Sequence, residues 1–178
     1  MFQGRSFGSN PAGYGIDRMK ILRSLAVVAL VAAGCSASDI FIGFIGLDQA
    51  RDSLQKTGVA ILAAFARGDL AAIMQYHHPD VIKALASNKY LVGHDAVKAD
   101  AAETLERFHL EWVENRQQTM FVQGDSAVEL TAFAIKSTPK NGGQFFLFKC
   151  RAMVVYVRYN ESPTGWASIR EVIQPESQ

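Results

Sequence analysis

Two groups of side chains carry most of the chemistry this sequence offers. The first is the run Tyr76-His77-His78, a phenol beside two imidazoles. Histidine titrates near neutrality, so one of the pair suits a proton relay or a hydrogen bond to a bound molecule. Neighbours on a helix do not share a face, so His77 and His78 do not converge on one ion. The chain has no Cys pair and no His-Glu-x-x-His spacing, and neither a metal nor another cofactor is expected. The plainer reading is a helix end with a histidine near its negative dipole end. The second group is Glu129, Arg151 and Glu171, spread over segments that alternate in hydropathy. Gathered in a pocket, they would orient or polarise a substrate. Placed on an exposed or interfacial face, they would be cross-strand ion pairs. Trp112 is a third candidate for a pocket wall, with an apolar body and one donor. Trp166, directly after a turn glycine, reads as an anchor of the last strand. Glycine-rich phosphate loops and serine-nucleophile motifs are absent, and Asn160-Glu161-Ser162, followed by Pro163, reads as turn chemistry.

The elements that must position these groups are legible from periodicity. From Leu47 a helical pattern places Leu47, Ala50, Leu54, Ile61 and Phe65 on one face. Gly68 stops that helix, and Asp69 caps a short second one over Leu70 to about His77. Pro79 ends it, and a loop follows through Gly93. A third helix is expected from about Asp95 to Phe108, burying Val97, Ala101, Leu105 and Phe108. The remainder alternates with period two. Four strands are expected, at about 115–123, 126–136, 144–159 and 166–173, separated by Gly124-Asp125, Pro139 to Gly143 and Asn160 to Gly165. Helices first and strands after predict an α+β domain, three helices on one face of an antiparallel sheet.

Composition narrows the function classes. Of 178 residues, 49% are hydrophobic, which argues for a packed core rather than disorder. After Cys35 there are 14 Lys and Arg against 16 Asp and Glu, a balance of −2. A phosphate backbone needs a positive face, so nucleic acid is not an expected partner.

The stretch Met19 to Cys35, MKILRSLAVVALVAAGC, reads as a bacterial lipoprotein leader: Lys20 and Arg23, an apolar Leu25 to Ala33, and small residues before the cysteine. Cys35 would carry the lipid and begin the mature chain, with translation starting at Met19. Residues 1–34 are then an upstream piece and signal peptide, 35–46 a tether with an apolar patch at Ile40 to Ile45, and 47–178 the domain. The expected location is the cell envelope, lipid-anchored and facing the periplasm or exterior. Rival readings are cleavage after Ala37 with release to the periplasm, and an uncleaved anchor from Ile21 to about Gly46. Ser36, Ser38 and Asp39 interrupt the latter short of the roughly 18–20 residues needed to span. Cys150, in FFLFKCRAMVVYV, reads as a small buried hydrophobe.

The order of elements resembles the nuclear transport factor 2-like superfamily, and within it the SnoaL-like group. The resemblance rests on ILAAFARGDLAAIMQYHHPDV, on GHDAV opening the third helix, and on Gly165-Trp166 leading into IREVI. It implies a cone in which a curved sheet wraps a long helix and a pocket opens between them. Such proteins include isomerases, cyclases, dehydratases, epoxide hydrolases and many binders, so fold does not settle activity. By resemblance to the ketosteroid isomerases, the general base would fall near Leu85, and Leu cannot accept a proton. The epoxide-hydrolase arrangement would need two Asp and an Arg; here Arg151, Glu171 and Glu129 are the nearest equivalents. Two readings with named site residues follow, and a third without them. One is an envelope-anchored protein binding a largely apolar small molecule through Tyr76, His77, Trp112, Glu129, Arg151 and Glu171. The other is an isomerase, dehydratase or hydrolase using His77 or His78 with Arg151 and Glu171. A third is an envelope assembly module. The segment 144–159 has one face wholly apolar and the other apolar with two cations, so a homodimer packed through the sheet is expected.

Overall fold

A computed structural model describes residues 37–86 and 89–176, with side chains from Gly46 onward. The chain divides into units 1–45 and 46–178; the sheet and the packed core belong to the second. Cys35 and the leader lie outside the described residues. The fold is mixed α+β. Helix α1 spans Ala37–Arg67, α2 Leu70–Met74 and α3 His94–Arg107. Strands are β1 His77–Leu85, β2 Lys89–Val92, β3 Phe108–Gln123, β4 Ser126–Pro139, β5 Phe146–Arg158 and β6 Trp166–Pro175. They form one curved sheet in the order β2-β1-β6-β5-β4-β3, with the helices on one face. All neighbouring pairs are antiparallel except β1 and β6, which run parallel.

The helices follow their sequence signals. On α1 the buried residues Ala50, Leu54, Thr57 and Ala64 recur at helical spacing. Leu47, expected on that face, is exposed. Gly68 ends the helix in the left-handed region, at φ 69°, where a side chain would be strained. The Asp69 carboxylate accepts from the Ala72 amide at 3.0 Å, capping α2. Val97, Ala101 and Leu105 are the buried face of α3. Phe108, expected on the same face, is already extended and opens β3.

Three expectations need correction. The loop expected between Pro79 and Gly93 is a hairpin, β1 and β2, so the sheet has six strands rather than four and is not wholly antiparallel. His77 is the first residue of β1 rather than the end of a helix. Residues 37–46, expected as a tether, are helical.

Three packed regions hold the unit together. Ala50 and Leu54 meet Val122, Ala127, Tyr156 and Trp166 at one end of the sheet. Ala64, Ile73, Met74, Val81, Val97 and Leu105 join α1, α2, α3 and β1. Phe133, Cys150 and Ala152 form a patch on β4 and β5, flanked by Trp112. Full burial of one such aliphatic side chain stabilises by about 1.5–3 kcal/mol. No helix among the described residues is long and apolar enough to cross a membrane.

Candidate functional site

Register decides which side chains meet. Lys83 pairs with Glu171, Glu171 with Val154, Val154 with Glu129 and Glu129 with Met120. These five form one row across β1, β6, β5, β4 and β3. Strand spacing puts Glu171 and Glu129, two strands apart, at roughly 10 Å between backbones. The next row runs His77, Ser168, Tyr156, Ala127 and Val122. Strict alternation would send Ser168 and Glu171 to opposite faces. The register shift between Val155 and Tyr156 inserts an extra residue on β6 and turns both inward. A second shift, between His77 and Ile82, surrounds Pro79, which has no N–H to give a ladder.

These rows wall a cavity of about 370 Å³ between α1, α3 and the concave face of the sheet. Its apolar lining includes Ile61, Leu62 and Phe65 from α1, Val97 and Ala101 from α3, and Trp112, Phe133, Ala152 and Val154 from the sheet. Exposed lining residues mark the openings: Ala86, Lys89 and Phe148 at one end, Asn115 on the β3 edge. His77, Ser168 and Tyr156 lie deepest.

Two polar clusters break the apolar lining. In the first, Glu171 Oε1 accepts from the Ser168 hydroxyl at 2.7 Å and lies 3.2 Å from His77 Nε2. Glu171 Oε2 lies 2.8 Å from Lys83 Nζ. His77 Nδ1 faces the Ile73 carbonyl at 3.0 Å. Both imidazole nitrogens thus face oxygen atoms of the protein. Burial opposes the Glu171 charge. The neighbouring Lys83 charge and the His77 contact outweigh it and hold this carboxyl well below the usual range. In the second cluster, Tyr156 donates to Glu129 Oε2 and Gln117 to Glu129 Oε1, each at 3.1 Å. Burial pushes the Glu129 carboxyl above its ordinary range, against the pull of those two hydrogen bonds. Burial and then the Glu129 charge push the Tyr156 phenol well upward.

The residues expected to form a site part company here. His77, Trp112, Glu129 and Glu171 line the cavity. Arg151 does not: it lies on the convex face, 68% exposed, and bonds Glu176 Oε1 at 3.1 Å. Neighbouring positions on β5 point to opposite faces, and the cavity takes Phe148, Ala152, Val154 and Tyr156. His78 also faces away, capping the Asp80 amide at 3.1 Å and packing edge-on against Tyr159. Tyr76 is buried outside the cavity, and its carbonyl accepts from the Ser168 amide. Leu85, the position that resemblance gives to a base, lines the wall as expected of an apolar residue. Sequence reasoning missed Lys83 and Ser168. Reading β1 as a strand would have placed Lys83 on the His77 face, six residues on. Among the described residues no group of three or more His, Cys, Asp or Glu side chains is arranged to hold a metal ion.

No protein-family model matches the chain, and no curated protein matches it. Solved structures do. A conserved protein from Planctomyces limnophilus superposes with a TM-score of 0.64 at 18% identity, over 71% of this chain and 98% of that one. A ketosteroid isomerase-like protein from Erwinia carotovora atroseptica gives 0.60 at 17% identity, over 70% and 94%. A nuclear transport factor 2-like superfamily protein from Salmonella enterica serovar Typhimurium gives 0.63 at 14% identity, over 74% and 94%. Identities this low speak to architecture alone. The fold of this chain is that of the nuclear transport factor 2-like proteins.

Proposed function

We propose that this chain is a small-molecule-binding protein that holds a largely apolar ligand between α1, α3 and the sheet. The observation that carries the reading is the state of the polar groups in an otherwise apolar cavity. The Glu171 carboxylate is occupied by Ser168, His77 and Lys83, and both nitrogens of His77 are engaged. His77 in the cavity wall is thus tied to the Ile73 carbonyl and to Glu171, as suits a fixed polar group that orients a bound ligand. An apolar cavity of a few hundred Å³ with a few fixed polar groups is the usual form of a binding site.

The test fills the space. Ala152 lies in the cavity wall on β5 and is nearly fully buried. An environment-sensitive apolar dye, the uncharged N-phenyl-1-naphthylamine, should brighten with the wild type and bind at least about tenfold more weakly to Ala152→Phe. Equal dye binding to both would end the reading.

A second reading, an acid–base enzyme, has one specific observation in its favour. Glu129 is a carboxyl raised by burial in the cavity wall, with the Tyr156 hydroxyl on it. In that version Glu129 replaces histidine as the acid–base group. The leader sequence Met19 to Cys35 supports an anchored envelope location, with lipid on Cys35. The convex face supports a homodimer. Phe121, Leu130 and Met153 are exposed there on neighbouring strands, more apolar surface than a face meeting water needs. A monomeric mass by light scattering would refute the dimer.

A further inference from the structure

One exposed apolar feature is not a sheet face. At the start of β5, Phe145, Phe146, Leu147 and Phe148 are 54%, 47%, 45% and 38% exposed, within a stretch where every residue from 141 to 149 is exposed. Successive strand residues point to opposite sides. A partner lying on the convex face would cover Phe145 and Leu147 and leave Phe146 and Phe148 in water. Only a medium that surrounds the strand end covers all four. We propose that this edge inserts into the interfacial layer of a lipid bilayer.

The surroundings fit that occupant. Lys140 and Lys149 bracket the run in sequence. Lys136 Nζ lies over the Phe145 ring at 5.1 Å, and Phe146 packs edge-on against Phe108, whose ring carries the Arg107 guanidinium at 5.2 Å. Arg107 is paired with Glu103 and Lys136 with Glu111, each at 3.1 Å, and Lys140 Nζ bonds the Leu105 carbonyl. Lys149 makes no ion pair among the described residues. Aromatic side chains with cations beside them sit well at the headgroup level, the apolar part below and the charge above. Phe148 belongs both to this edge and to the cavity lining, so the inserted edge borders an opening of the cavity. The proposal stands on the edge alone and does not require the cavity to bind anything.

The test uses the full chain with vesicles of mixed phosphatidylcholine and phosphatidylglycerol, read by amide hydrogen exchange, which reports the segment itself whatever else holds the chain on the vesicle. Vesicles should slow exchange over residues 143–149. The double variant F145S/L147S should lose that protection, its exchange over 143–149 on vesicles returning to the vesicle-free rate. Both side chains are exposed, so the variant should keep its circular dichroism spectrum. The control Val113→Ser, an exposed apolar position on β3, should keep the wild-type protection of 143–149. Unchanged exchange over 143–149 on vesicles, or wild-type protection of that segment in the double variant, overturns the proposal. So does protection of 143–149 without vesicles that rises with protein concentration together with Leu130 and Met153, which identifies a second copy as the occupant.

Discussion

Replacing Glu171 with Gln removes one negative charge beside the Lys83 ammonium and changes almost nothing in shape. In the wild type Oε2 takes Lys83 Nζ at 2.8 Å, and Oε1 takes Ser168 at 2.7 Å and His77 at 3.2 Å. A glutamine has one oxygen and one NH₂ group. Turned with its oxygen toward Lys83 and its NH₂ toward the Ser168 hydroxyl, it keeps hydrogen bonds, but the Lys83 charge loses its partner. The Lys83 and Glu171 side chains are both largely out of water. Breaking such a pair from one side costs about 3–5 kcal/mol, and the residual access of Lys83 argues for the lower end. At ~2 cal/mol/K of unfolding entropy per residue, a loss of about 3 kcal/mol lowers Tm by on the order of 10 °C in a domain of this size. The pH dependence has a definite sign. The folded-state pKa of Glu171 is depressed, so its stabilisation is complete above the unfolded value of about 4.3. It is lost as pH falls below that toward the folded value. Thermal unfolding of the wild type and E171Q from pH 7 to pH 3 should therefore show a gap that is constant near neutrality and closes on acidification. Adding Lys83→Met to E171Q removes the stranded charge and should recover part of the loss. A variant within about 1 kcal/mol of wild type, or a gap indifferent to pH, would refute the reasoning.

Other consequences are simpler. Arg151→Ala should change stability by less than about 0.5 kcal/mol and leave dye binding intact, because its partner Glu176 is met at an exposed surface; denaturant unfolding checks this. Tyr156→Phe removes a hydrogen bond that favours the charged form of Glu129, so the Glu129 carboxyl carbon should titrate at higher pH by NMR. Leu54→Ala empties a site fully enclosed by Ala127, Tyr156 and Trp166 and should cost about 2–5 kcal/mol in urea unfolding. Ala86 sits at φ 46°, in the left-handed region; Ala86→Gly relieves that strain, offset by the unfolded-state freedom of glycine, and should raise stability by about 0.5 kcal/mol.

The helices were legible because their signals are local. Gly68 and Asp69 do in the fold what their residue types suggest, and Ala50, Leu54 and Ile61 keep the spacing of a helix face. The hairpin β1–β2 was not legible. Pro79 and two adjacent histidines read as a helix end, and His77 joins β1 only because β6 offers it a parallel partner distant in sequence. Lys83 was lost with that strand. On β5 the alternation separated Tyr156 from Arg151 onto different faces, as the structure has them. On β6 alternation fails, because the extra residue opposite Val155 and Tyr156 reverses the faces part-way along. A bulge of that kind is set by pairing across strands, and no local pattern announces it. That single shift brings Ser168 and Glu171 together, while plain alternation on β5 puts Arg151, opposite Gln174, on the other face.

The measurement that tests the central claim most directly is native mass spectrometry of the protein purified mildly from the cells that make it, paired with the denatured intact mass. The account predicts a small molecule that departs on denaturation, and its absence from Ala152→Phe prepared in the same way. An empty wild-type protein, or a bound molecule retained equally by Ala152→Phe, would contradict the assignment of the cavity as the binding site.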